Sequence, residues 1–157
     1  MRRATHAVRT AAFLSVLLIA AACESTPSPE GNYALTFVDG QPLPGLVSAT
    51  VNCDELLSSG ELQILSGQYL LSLDVLQDCS RAGGDTSTRF LVGSGGVRES
   101  RGTLVFTDSV GGGQLTGRQV GDDVELDYSD NGLVPAPHTL RFVHADAIQR
   151  SVPTGPR

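Results

Sequence analysis

From residue 31 onward, hydrophobic and polar positions alternate with period two in short bursts, and most bursts stop at a glycine-bearing turn. This is the pattern of antiparallel strands with one buried face. Residues 33–38 put Tyr33, Leu35 and Phe37 on one side, before Asp39-Gly40. Val47, Ala49 and Val51 then alternate with Ser48, Thr50 and Asn52. After the turn residues Ser58-Ser59-Gly60, segment 61–65 sets Leu62 and Ile64 inward, and Ser66-Gly67 leads into 68–76, the longest predicted strand. Its inner side is Tyr69, Leu71, Leu73 and Val75. Thr88, Phe90 and Val92 form the next inward set, followed by Leu104 with Phe106, and then by segment 115–120. Gly121-Asp122 suits a two-residue hairpin turn, after which Val124, Leu126 and Tyr128, and finally Leu140, Phe142 and His144, complete nine predicted strands. Connections are short, so sequential strands are expected to be neighbours, and closure removes exposed edges. The expectation is an all-β, antiparallel up-and-down barrel of 8–9 short strands. A two-sheet β-sandwich is the alternative, for which only segments 79–85 and 132–137 are long enough to cross over.

The pattern before residue 31 is different. Arg2, Arg3 and Arg9 precede a twelve-residue apolar run, 11–22, which ends in Ala20-Ala21-Ala22 before Cys23. A bilayer span needs about 20 apolar residues, so the run reads as a signal peptide rather than a membrane helix. The Ala-Ala-Ala-Cys junction resembles the processing box of bacterial lipoproteins, with Ala20 where leucine is more usual. The resemblance implies a lipid on the Cys23 thiol, cleavage before it, and palmitate-type acyl chains as the anchor. The same alanines also satisfy an ordinary Ala-x-Ala cleavage site. Segment 24–30 has two prolines and no apolar residue, and reads as a tether. The expected organisation is a signal peptide over 1–22, a disordered tether over 23–30, a barrel domain over 31–144 and a flexible tail over 145–157.

Composition narrows the function classes. Without the leader, eight of eleven basic residues and all seventeen acidic ones remain, a formal charge of −9, which argues against nucleic acid as a partner. Every basic residue is arginine, so lysine chemistry is excluded. Cys53 and Cys79 are 26 positions apart, in a compartment where disulfides persist. Their spacing does not suit a Cys-x-x-Cys metal or redox pair, and a structural disulfide is expected. The Gly-x-Ser-x-Gly, His-Glu-x-x-His and phosphate-loop patterns do not occur, so no catalytic residue, metal site or cofactor is expected. Asp127, Ser129, Asn131 and Gly132 mimic the start of a calcium loop, but its twelfth position is His138 rather than glutamate, and Asn131-Gly132 reads as a turn. His144 reads as a strand-end residue at the barrel rim, with a pH-sensitive group at a cavity mouth as its functional alternative.

The opening segment 31–44, the glycines at 60 and 67, the stretch Arg101-Gly-Thr-Leu-Val-Phe106 and the hairpin Val120-Gly-Asp-Asp-Val-Glu-Leu126 together resemble small bacterial lipocalin-like lipoproteins. The likeness covers most of 31–143, with Gly93-Ser-Gly-Gly96 and Val134-Pro-Ala-Pro137 as departures. It implies an eight-stranded barrel in the bacterial cell envelope, anchored to a membrane and facing the periplasm or the exterior. The expected function is non-enzymatic binding of a small apolar or amphipathic ligand, lined by Leu35, Phe37, Leu73, Phe90, Phe106 and Phe142. A structural or protein-interaction module with an envelope protein as partner is the alternative. Cys23→Ser is expected to abolish lipid labelling and release the domain into the soluble envelope fraction. Unchanged membrane retention on fractionation would contradict the anchor.

Overall fold

In the computed structural model, which describes residues 29–128 and 137–151, the chain is nearly all antiparallel strand. The strands are β1 (Gly31–Val38), β2 (Gln41–Pro42), β3 (Gly45–Ala49), β4 (Asp54–Leu65), β5 (Gln68–Asp78), β6 (Thr86–Ser100), β7 (Thr103–Asp108), β8 (Gln114–Val120), β9 (Asp123–Tyr128) and β10 (His138–His144). The hairpins are built by local chemistry. Ser66 and Gly67 have φ of 50° and 71°, and Arg101 and Gly102 have 54° and 78°, the two positive values in succession that twist-matched two-residue hairpins require.

From β4 to β10 each strand pairs with the next, and β10 pairs with β1. β1 also pairs with β4, from Gly31↔Ile64 to Ala34↔Glu61, which closes eight strands into a barrel. The sandwich alternative is thereby replaced by one sheet closed on itself. β2 and β3 lie outside the ring, β2 on the end of β1 and β3 on the first part of β4. The outer edge of β4 is thus shared, with Asp54–Leu57 taken by β3 and Glu61–Ile64 by β1. Between them Ser58 is a bulge, and its hydroxyl donates to the Asp74 carbonyl at 3.1 Å.

Several expected boundaries move. Ser58-Ser59-Gly60 is not a turn but the kinked middle of β4, and Val51 lies beyond the end of β3 and is exposed. Gly93-Ser-Gly-Gly96 does not interrupt the sheet but sits inside β6, the longest strand at 15 residues. Here β6 passes from β5 to β7, and a Cβ on Gly95 would collide with the Thr107 carbonyl oxygen, so only glycine fits. Residues 145–151 are helix α1 (Ala145–Ser151) rather than tail.

The inner face is a continuous core containing Leu62, Ile64, Leu104, Phe106, Val124, Leu126, Leu140 and Phe142. Phe106 and Phe142 are fully buried, and Tyr69 meets Phe106 edge-on at 5.2 Å. Burying each such side chain stabilises the fold by roughly 1.5–3 kcal/mol. Outside, Arg118 pairs with Glu125 at 2.6 Å and Arg141 with Asp123 at 2.7 Å. Such exposed pairs add little individually.

Cys53 and Cys79 are bonded, with Cα atoms 4.1 Å apart. They stand just past the terminal pair Asp54↔Asp78, so the bond clamps the open end of the β4–β5 hairpin. Replacing both with serine is expected to lower stability by about 2–5 kcal/mol. A urea midpoint shift at unchanged far-ultraviolet circular dichroism is the check.

Candidate functional site

Strand direction assigns the two ends of the barrel different roles. β5, β7 and β9 run in the same sense as β1, because each is separated from β1 around the sheet by an even number of antiparallel steps. Gly31, the turns at Ser66–Gly67 and Arg101–Gly102, and His144 therefore mark one end. Asp108 and Tyr128, the last residues of β7 and β9, mark the opposite end, as does the disulfide.

At that second end a pocket of about 170 Å³ enters the barrel. Its walls are Tyr69, Leu71 and Leu73 from β5, Leu91, Val92 and Gly93 from β6, Leu115 from β8 and Tyr128 from β9, with Asp108 and Gly113 beside the opening. The space arises from strand length. β6 pairs with β7 only from Gly95↔Asp108 to Ser100↔Thr103, so its earlier residues run on past the end of β7. Gly93 helps, since a Cβ there would only touch Tyr69 at 3.9 Å. A wider hollow of about 560 Å³, lined by Val92, Ser94, Asp108, Val110, Gly111 and Gly113, adjoins it on the solvent side.

Polar groups in the pocket are few. Burial, and after it the charges of Asp108 and Tyr128, raise the Tyr69 phenol above its ordinary value, so it remains a protonated donor. Asp108 accepts the Val110 N–H at 2.7 Å through Oδ1. Another hollow, about 220 Å³, lies among Asn32, Glu61, Gln63, Ser72 and Ala145, and Gln63 there donates to Asn32 at 2.8 Å. Its lining also includes Tyr33, Ala34, Leu62 and Leu70.

Of the six residues expected to line a ligand, Leu73 alone is on the wall of this pocket. Leu35, Phe106 and Phe142 belong to the packed core. Phe37 points outward, because a bulge between Leu35 and Phe37 reverses the phase of β1 and leaves Val38 inside. Its ring lies 5.9 Å from the Arg141 guanidinium carbon. Phe90 is 73 % exposed and Val92 71 %, so the inward face of β6 is the opposite one, Arg89 and Leu91. Arg89 is tolerated there because it meets Glu55 at 3.1 Å. Asp108 was missed although its signal was present: it continues the inward series Leu104, Phe106 by one further step of two.

His138 sits on the pocket's end of the barrel and His144 on the other, so His144 is a rim residue away from the cavity mouth. It packs edge-on to Tyr33 at 5.1 Å. His138 ties three elements together, with Nδ1 2.7 Å from Asp39 Oδ2 and Nε2 2.9 Å from the Val47 carbonyl. Both partners are acceptors, so the two bonds coexist when both ring nitrogens carry protons. Of the calcium-loop mimic, residues 129–132 lie outside the described residues, as do Cys23 and the leader. Among the described residues no group of three or more histidine, cysteine, aspartate or glutamate side chains is arranged to hold a metal, and no helix is long and apolar enough to cross a membrane.

No protein-family model matches the chain, and neither do curated proteins or solved structures.

Burial works to raise the Asp39 carboxyl, but the bonds from His138 and the Thr139 N–H, with the His138 charge, hold it below its ordinary 3.8. Because the folded value is depressed, the stabilisation is present above pH 3.8 and is lost as pH falls through the lower folded value. Asp39→Asn is expected to flatten this acid limb in a pH series of thermal unfolding. An unchanged limb would assign it to other carboxylates.

Proposed function

We propose that this chain is an envelope-anchored, lipocalin-like binding protein that holds one small apolar or amphipathic molecule. The observation that carries this reading is the pocket of about 170 Å³, whose walls include Leu71, Leu73, Leu91 and Leu115. A dry cavity of about 150 Å³ takes a benzene-sized molecule, whereas drug-sized ligands use about 300 Å³ or more. The cargo is therefore compact, since Phe106 and Phe142 fill the space further in.

The anchor and the pocket fit one orientation. A lipid on Cys23, with the tether joining the barrel at Gly31, holds that end toward the membrane of the bacterial envelope. The pocket, at the opposite end, then faces the periplasm or the exterior.

A second reading, an interaction module for another envelope protein, draws on the outer side of β3 and β6, where Leu46, Phe90 and Val92 are exposed at 53 %, 73 % and 71 %. One experiment separates the two. An environment-sensitive apolar dye is expected to bind saturably with one site per chain, and Leu91→Trp, which fills the pocket, is expected to weaken it at least tenfold. Dye binding that ignores this substitution would remove the pocket from the proposal, and no saturable binding would favour the interaction module.

A further inference from the structure

We infer that the pocket selects small organic cations, taking the apolar body of an amine between Leu71, Leu91 and Leu115 and its ammonium group at Asp108. The inference rests on the binding reading above and names the class of ligand. Among the described residues lining the pocket or the hollow, Asp108 is the only acidic one, and it is common to both. None of the chain's eleven arginines is among those lining residues.

The carboxylate is held rather than neutralised. Its Oδ1 accepts from Val110, and among the described residues no cationic side chain pairs with it, whereas Asp39, Asp54, Glu55, Asp123 and Glu125 all have arginine or histidine partners. A negative charge beside apolar walls acts through a lower effective dielectric than in open water, so it attracts a cation strongly and repels an anion. Its influence within the pocket is visible at Tyr69, whose phenol is raised by burial first and by the Asp108 charge next. The rings of Tyr69 and Tyr128, which also line the pocket, are aromatic surfaces of the kind on which ammonium groups rest. Asp108 lines both the pocket and the hollow, so an amine whose apolar body lies among the leucines reaches it with its charged end.

The test uses the full-length lipidated chain in phosphatidylcholine vesicles, titrated calorimetrically with three probes of one shape: benzylamine, benzyl alcohol and benzoate. Titrations into empty vesicles are subtracted. At neutral pH benzylamine is expected to bind about tenfold or more tightly than benzyl alcohol, the usual gain from a hydrogen bond to a charged group, and benzoate not measurably. Asp108→Asn keeps the acceptor for the Val110 N–H and is expected to bring amine and alcohol within about twofold of each other. The wild-type comparison of amine with alcohol stands without any variant. Equal affinity for all three probes would overturn the cation preference and leave the pocket as a binding site. A preference for the amine that survives Asp108→Asn would overturn the role of Asp108. Failure of all three overturns the inference, and if the apolar dye also fails, the binding reading falls with it.

Discussion

The barrel depends on the double pairing of β1. This one strand donates and accepts backbone hydrogen bonds on both sides, with β10 along one edge and with the second half of β4 along the other. Without the second pairing, the sheet would present two open edges, and strands that leave their N–H and C=O groups unpaired invite association. The bulge at Ser58 makes the arrangement geometrically consistent, since it divides β4 into a part that serves β3 and a part that serves β1. Gly60, just beyond it, has no Cβ to press on Leu35 and Leu73, which lets the closing strand come near.

Closure also sets where the interior is full and where it is open. Within the ring, large side chains such as Phe106, Phe142 and Leu126 fill the space. Beyond it β4, β5 and β6 run on, joined by β3 and clamped by the disulfide, while β7 ends at Asp108. This difference in strand length, rather than a shortage of side chains in the core, creates the pocket. It also explains why an arginine and a glutamate face inward on this extension: Arg89 and Glu55 neutralise each other where the sheet is no longer closed.

The architecture was largely legible in the order of residues, because period-two alternation and two-residue turns are local properties. Ser66-Gly67 and Gly121-Asp122 marked hairpins, and the inner faces of β5, β7, β9 and β10 follow from simple alternation. The pairing of Cys53 with Cys79 was equally accessible, since the two cysteines of the barrel segment leave one connectivity. Alternation misled where a strand changes phase or leaves the ring. The bulge in β1 turned Phe37 outward, and β6 was read with Phe90 inside because hydrophobicity was the only guide to its face.

Residue order alone thus determined the class of fold, the hairpins, most of the core and the disulfide, all of which depend on short-range pattern or on a unique pairing. The tertiary structure decided that β1 closes the ring against β4, that β6 outruns β7, and that Asp108 stands at the resulting opening beside Tyr69. Those outcomes depend on register between segments far apart in the chain. Strand stagger is a property of the closed sheet as a whole, and no single segment carries it.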